Sequence, residues 1–454
     1  MTADPVTAVV VGGGPAGVRA VQCLLAHGLR PVWIDEAPRT GGQIYRRPPP
    51  PFRRPPVALY GYEARKAVAL QAAGDAAAKA ADYRPETLAW DVSGGAVRIA
   101  GPGGSEALAY DGLILATGAM DRIIPIPGWT LPGVFTLGGA QVALKAQGCA
   151  IGRRCILLGT GPLLYLLAFQ YAKAGAVVAA VLDTARADAR FQALPKLLAQ
   201  PGTLAKGLHY TIWLRARGIP LWDGIQPIEI LGRTSAAGIR FRDRTGVARE
   251  IQGDAVAMGF GLKPETQLAD LAGCAFGFDE ASRQFLPLTD GEGRARGVAG
   301  VYLAGDGAGI AGADAAELAG EQAALMLLAD RGIPVSGARR REIARRLARI
   351  GRFRQGLEEA FPFPAELARS LPDAAILCRC EAVTAGALRA TVEKRATEIN
   401  RAKAFCRVGM GRCQGRLCAG AAAEILAAAR GVELSAVGRL RGQPPAKPLP
   451  VQCL

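Results

Sequence analysis

Four cysteines near the end of the chain, Cys378, Cys380, Cys413 and Cys418, form a C-x-C-x32-C-x4-C pattern. Thiolates bind soft or borderline metals, so four of them in a reducing compartment point to zinc or an iron–sulfur cluster and not to two disulfides. Structural zinc usually takes cysteines about two to four residues apart, whereas here Arg379 alone separates the first pair. The second pair lies in Gly409-Met-Gly-Arg-Cys413-Gln-Gly-Arg-Leu-Cys418. Glycine-rich turns of this kind leave backbone N–H groups free to face sulfur and offset a cluster's negative charge, and Arg379, Arg412 and Arg416 are expected to add to that effect. The residue chemistry favours a [2Fe-2S] cluster, with zinc or unliganded thiols as the alternatives. Cys23, Cys149, Cys155, Cys274, Cys406 and Cys453 lie outside the pattern and include no C-x-x-C, so the dithiol of a disulfide reductase is not expected. Cys406 is close enough to Cys413 to compete for the ligand assignment.

The second stretch that carries chemistry is Gly12-Gly-Gly14-Pro15-Ala16-Gly17. An apolar run, Val6 to Val11, precedes it; a helical pattern from Val18 to Ala26 follows, then a stop at Gly28 and a second strand, Pro31 to Ile34, ending in Asp35 and Glu36. Gly12 permits the tight turn, Gly14 lets a pyrophosphate approach the backbone, and Gly17 lets the helix pack on the strand. The helix N-terminus attracts phosphate, and Asp35 stands where a carboxylate meets ribose hydroxyls. A dinucleotide or adenine nucleotide is expected here; FAD, NAD and ATP all satisfy the same motif.

Further segments belong to the same expected site. Gly41-Gly42-Gln43-Ile-Tyr45 leads into Arg46-Arg-Pro-Pro-Pro-Pro51, too proline-rich for helix or central strand and read as a loop over the cofactor or toward a partner. The apolar strand Gly112-Leu-Ile-Leu-Ala-Thr117-Gly118 suits a return strand beneath a flavin nucleotide. Gly305-Asp306, between the strand Gly300 to Ala304 and a helix from Ala315 to Ala329, is placed for a ribityl hydroxyl; a plain helix cap is the competing reading. Phosphate or a partner's flavin is a candidate ligand for Arg46 and Arg122, with plain surface arginines as the competing reading. A second βαβ pattern runs from Cys155 through Gly159-Thr-Gly161-Pro-Leu-Leu164 to Asp183, with Leu164 in place of the third glycine. It is either a working nicotinamide site or a retained half without ligand.

A chain of 454 residues, 50% of them hydrophobic, is long enough for about three domains. The formal charge of +16 is scattered arginine, with no basic and aromatic run that tracks a groove, so no nucleic-acid partner is expected. The N-terminus runs straight into the first strand and no apolar run of about 18 residues exists, which points to a cytoplasmic protein. His27 and His209 are the only histidines. Both read as structural, so imidazole catalysis is improbable, no catalytic residue is assigned, and the chemistry must come from cofactors. Expected boundaries are a discontinuous nucleotide domain at 1–125 and 262–335, a second Rossmann-like domain at 126–261, and a basic helical connector at 336–371. A metal module at 372–435 and an extended arm at 436–454 complete the chain. The fold class is α/β, with two Rossmann-like domains in a thioredoxin-reductase-like arrangement and a small helical C-terminal domain.

Taken together, G-G-G-P-A-G with D-E and G-G-Q-I-Y-R, then A-T-G-A-M-D-R, G-T-G-P-L-L, Y-L-A-G-D-G-A-G, C-R-C-E and G-M-G-R-C-Q-G-R-L-C resemble the α subunits of hetero-oligomeric FAD-dependent amine and imino-acid dehydrogenases. That family includes opine oxidase A, D-hydroxyproline dehydrogenase α and hydrogen cyanide synthase B subunits. The C-terminal module resembles the bacterioferritin-associated ferredoxin [2Fe-2S] domain, although there the second pair is C-x-x-C. The resemblance implies an electron-transfer subunit that does not itself oxidise substrate. It implies a D-amino-acid-oxidase-like β subunit that does, an FMN near their contact, sometimes a small ferredoxin-like γ subunit, and membrane association only through the complex.

Overall fold

The computed structural model describes residues 6–52 and 54–450, so Cys453 lies outside the described residues. Ala8–Val11 is buried on both faces and forms the middle of a five-stranded parallel sheet, as a run of small and β-branched residues should. Val32–Ile34 and Asp82–Arg84 flank it on one side, Gly112–Leu115 and Val301–Leu303 on the other. The fifth strand thus returns from beyond the second sheet. Helix Pro15–Ala26 starts with proline in its first turn and crosses helix Ala313–Asp330 so closely that a Cβ on Gly320 would lie 2.0 Å from the Ala16 carbonyl oxygen. An antiparallel meander, Leu88–Ser93, Ala96–Gly101 and Gly104–Ala109, covers one face.

The second sheet is also five-stranded and parallel, in the order Leu221–Trp222, Val177–Asp183, Arg154–Thr160, Ala255–Phe260, Val134–Thr136. The chain passes between the two sheets through a short antiparallel pair, Ala119–Asp121 with Leu262–Pro264. Both crossings therefore lie side by side, and each leaves a strand end that belongs to the nucleotide turns. Helices Ala187–Gln192, Leu194–Leu197 and Pro201–Ala216 and the antiparallel sheet Gln226–Leu231, Gly238–Arg242, Ala248–Gln252 are additions without a motif.

Ser336 caps the 24-residue connector helix Gly337–Ala360, its Oγ accepting from the Arg339 amide at 3.3 Å. The last module carries helices Ala385–Arg389, Ile399–Cys406 and Ala419–Arg430. The Thr384 hydroxyl accepts from the Ala387 amide, and Gly431 ends the last helix in the left-handed region at φ 64°. This module is no loose appendage: Leu377, Cys378, Leu388, Ile425 and Leu426 share one apolar core with Ile156, Leu158 and Phe260 of the second sheet. Trp129 Nε1 donates to the Ile376 carbonyl at 2.6 Å across that seam. The arm is extended but runs back over the first domain. There Ala446 is buried, its amide donates to the Trp90 carbonyl at 2.8 Å, and Lys447 pairs with Glu36.

Candidate functional site

The first glycine turn is built as close-packed backbone. Gly12 has φ 115°, and a Cβ there would sit 2.3 Å from the Ala116 carbonyl oxygen; a Cβ on Gly17 would sit 1.8 Å from the Gly12 carbonyl oxygen. At Gly14 the nearest atom to such a Cβ is Gly42 Cα at 3.7 Å, leaving room above the N-terminus of helix Pro15–Ala26. Pro15 starts that helix and Ala16 is buried beneath it. Asp35 leans on the turn: Oδ1 accepts from the Ala37 amide at 3.2 Å, while Oδ2 is buried without a hydrogen-bond partner. Burial raises its pKa to about 6. An orphaned carboxylate oxygen beside a glycine turn fits a ribose hydroxyl donor. Glu36, by contrast, faces solvent and holds Lys447.

Gln43 accepts from Arg46 Nη2 at 2.8 Å, and Arg46 Nε is buried without a partner, so this arginine keeps a donor for an anion. Its neighbour Arg47 is instead bound to Asp75, at 2.9 Å to each oxygen. Thr117 Oγ1 donates to the Glu265 carbonyl at 2.6 Å, and the Glu265 amide donates to the Gly118 carbonyl at 2.9 Å. Gly305 and Asp306 open a 3-10 turn at the end of Val301–Leu303. Asp306 Oδ1 accepts from the Ala311 and Gly312 amides at 2.8 and 2.9 Å, so half of this carboxylate folds its own loop. Arg122 does not reach the nucleotide turn. It is buried, donates to the Ser282 and Arg283 carbonyls at 2.7 and 3.1 Å, and lies 3.4 Å from the centre of the Phe363 ring. It joins domains and is neither a surface arginine nor a free phosphate ligand.

At the second glycine turn Gly161 has open space beside it, but the acidic position at the end of the second strand is occupied from within. Asp183, fully buried, accepts from Tyr165 Oη at 2.7 Å, the Ala185 amide at 2.8 Å and Arg190 Nη2 at 2.5 Å. The carboxylate that would meet a nicotinamide-nucleotide ribose is thus occupied by side chains of its own domain. Phe361 of the connector closes the stack over Tyr165 and Arg190.

The four cysteines of the quartet sit as two neighbouring pairs, Cys378 beside Cys418 and Cys380 beside Cys413. The Cys418 thiol, together with the amides of Gly409, Glu381 and Cys380, pulls the Cys378 pKa down to about 6 despite burial. Burial raises that of Cys380. Among the described residues no three Cys, His, Asp or Glu side chains converge as one ion's shell. Four thiols in two pairs is the number that two irons with two thiolates each require, and of the amides that face Cys378 one, Gly409, belongs to the glycine-rich turn. Cys406 is not part of the set, because its Sγ donates to the Ala402 carbonyl of its own helix at 3.2 Å.

Two of the three arginines differ from expectation. Arg416 is neutralised by Glu265 at 2.6 Å and caps the Ala446 carbonyl at 2.7 Å, and Arg379 lies 5.5 Å from the centre of the Trp129 ring. Glu265, absent from the sequence-based candidates, is the residue that joins the two centres. Its backbone bonds Thr117 and Gly118 of the nucleotide domain and its carboxylate bonds Arg416 of the cysteine loop. Nothing local distinguishes this glutamate; only the return of the chain beside Ala119–Asp121 brings it there.

The comparisons with known proteins agree with this geometry. Residues 6–327 match the pyridine nucleotide-disulphide oxidoreductase family and residues 376–428 the BFD-like [2Fe-2S] binding domain. The opine oxidase A protein from Agrobacterium tumefaciens is 39% identical over 97% of this chain and 89% of its own. The hydrogen cyanide synthase protein HcnB from Pseudomonas aeruginosa is 34% identical over 97% of each. Among solved structures, L-proline dehydrogenase from P. horikoshii covers 99% of this chain and 79% of its own with a TM-score of 0.72 at 19% identity. T. acidophilum thioredoxin reductase covers 71% of this chain and 98% of its own with a TM-score of 0.52 at 21% identity. The chain therefore belongs to the oxidoreductase family of opine oxidase A and HcnB, a thioredoxin-reductase-like α/β body carrying a BFD-like [2Fe-2S] domain.

Proposed function

We propose that this chain is the electron-transfer subunit of a multi-subunit dehydrogenase or oxidase that oxidises a secondary amine or imino acid of the opine or hydroxyproline type. The substrate is oxidised in a partner subunit. The observation that supports this reading is the link between the two candidate sites next to the strand pair Ala119–Asp121 and Leu262–Pro264: Thr117 and Gly118 bind Glu265, and Glu265 binds Arg416 beside Cys413. A flavin exchanges electrons in twos or singly and a [2Fe-2S] cluster singly, so the two together convert a two-electron oxidation into one-electron delivery.

FAD is the ligand proposed for the first turn. Gly12, Gly14, Pro15, Ala16 and Gly17 would hold its pyrophosphate, Asp35 its ribose, and Gly42, Gln43, Arg46, Thr117, Gly118, Gly305 and Asp306 its remaining length. Cys378, Cys380, Cys413 and Cys418 would hold the cluster. The occupied carboxylate of Asp183 supports a partner protein, rather than NAD(P)H, as the electron source. The partner proposed is a D-amino-acid-oxidase-like subunit with FMN at the contact and a small ferredoxin-like third chain, all cytoplasmic. Among the described residues no helix is long and apolar enough to cross a membrane.

The chain purified alone should contain iron, acid-labile sulfide and flavin and oxidise no amine; with its partner it should turn over an opine or hydroxyproline. Amine oxidation by the isolated chain would overturn the assignment.

A further inference from the structure

Between the nucleotide domain and the cysteine module lies an open cavity of about 150 Å³ whose wall includes five cations, Arg122, Lys263, Arg283, Arg416 and Arg439. Most of these have an anion of their own. Arg416 is paired with Glu265, Arg439 with Asp270, and Arg283 with Glu424. Arg122 gives its donors to two carbonyls.

Lys263 differs. It stands on Leu262–Pro264, opposite Met120 of Ala119–Asp121, and shares the cavity wall with Gly415, Arg416 and Ala419 of the cysteine loop and helix. Among the described residues its ammonium has neither a hydrogen-bond partner nor a paired carboxylate; only the more distant charges of Glu265 and Cys418 attract it. Lys263 is half-buried, and partial burial holds its pKa below the usual lysine range, while the proximity of Cys418 opposes that shift.

We propose that Lys263 sets the reduction potential of the [2Fe-2S] site, favouring its reduced form as the one cation of the cavity wall with no direct partner. The proposal rests on the reading of the module as a redox-active cluster. Adding one electron adds one negative charge to the thiolate-bound centre. A neighbouring positive charge in a partly desolvated wall stabilises that product more than the oxidised form. Arg416 contributes less, although it belongs to the cysteine loop itself, because Glu265 cancels its charge. Lys263 is in this sense a positioning residue for electrons, acting through its charge.

The test is a redox titration of the full-length protein with dithionite, followed by electron paramagnetic resonance and by the visible absorption of the cluster, with iron and sulfide content measured in parallel. Lys263→Gln should shift the reduction equilibrium about tenfold toward the oxidised form, which for one electron is about 59 mV to lower potential. Lys263→Arg should stay within about threefold of the parent. Glu265→Gln removes a negative charge and releases Arg416, so it should shift the equilibrium in the opposite direction; a merely structural disturbance gives no such reversal of sign. A potential unchanged in Lys263→Gln with full iron and sulfide overturns the proposal. Should that variant load no cluster, a Glu265→Gln potential at or below the parent's overturns it equally. A parent chain with zinc or without sulfide removes the redox reading itself, which separates the two failures.

Discussion

Glu424 is fully buried in the middle of helix Ala419–Arg430, the helix that starts at Cys418. Arg283, from a hairpin of the nucleotide domain, donates to both of its oxygens at 2.9 and 3.0 Å, and Arg369 donates to Oε2 at 3.1 Å. The two arginine side chains keep 26% and 33% of their exposure, whereas the carboxylate keeps none. This asymmetry sets the order of the mutational costs. In Glu424→Gln both guanidinium groups can turn toward water, and the loss is that of charge-assisted hydrogen bonds, about 1.5–3 kcal/mol. In Arg283→Met the carboxylate stays in the core with a single hydrogen bond, and removing one member of a buried pair costs about 3–5 kcal/mol. Amide hydrogen exchange of the peptide 419–430 reads this directly, because a local opening that becomes easier by about 3 kcal/mol exchanges roughly 150-fold faster. Exchange should rise more in Arg283→Met than in Glu424→Gln, and the nucleotide-domain peptide 8–34 should be little changed in either. Equal or reversed ranking would show that the carboxylate is hydrated and that this clamp does not hold the module.

Other outcomes follow from the same geometry. The pKa of Asp35 is raised to about 6 by burial, and a ribose hydroxyl donates best to the ionised form. Adenine-nucleotide affinity should therefore fall about tenfold from pH 7 to pH 5, and Asp35→Asn should flatten that profile in a fluorescence titration. For stability the sign is opposite. An acid whose folded pKa lies above its unfolded value of 3.8 contributes most at low pH, and that contribution is lost as pH rises toward about 6. Because Tyr165 and Arg190 occupy the Asp183 carboxylate beside the second turn, NADH or NADPH should bleach the flavin of the isolated chain no faster than buffer does, as followed by stopped-flow absorbance. Cys418→Ser should lose iron and sulfide, whereas Cys406→Ser, which removes only a bond to its own helix, should retain both in a colorimetric assay.

Much of this protein is local and therefore legible in its sequence. The first βαβ unit depends on a buried β-branched run, a turn that needs glycine where a Cβ would strike a carbonyl, and a carboxylate after the second strand; all of these lie between Ala8 and Asp35. The cysteine ligands are likewise readable, since thiolate chemistry and spacing depend on residue type, and the resemblance of the ordered motifs extended this to the family. Helix Ile399–Cys406, held by Glu398 accepting from the Asn400 and Arg401 amides, was not apparent, because its short polar sequence has weak periodicity.

Tertiary structure decided what depends on charges and faces brought together from distant segments. Sequence alone left the second glycine turn open between a working and an empty site; Tyr165 and Arg190 occupy its Asp183 carboxylate, with Phe361 beside them, only once strand, helix and connector are packed together. Spacing proposed three arginines around the cluster, yet Glu265 neutralises Arg416 across 151 residues of chain, and among the described residues of the cavity wall it is Lys263 that has no direct partner. The sequence by itself determined which groups are present to bind nucleotide and metal. Which charges remain uncancelled between the two sites is a property of the folded chain alone, because ion pairing depends on distance in space and not on separation in sequence.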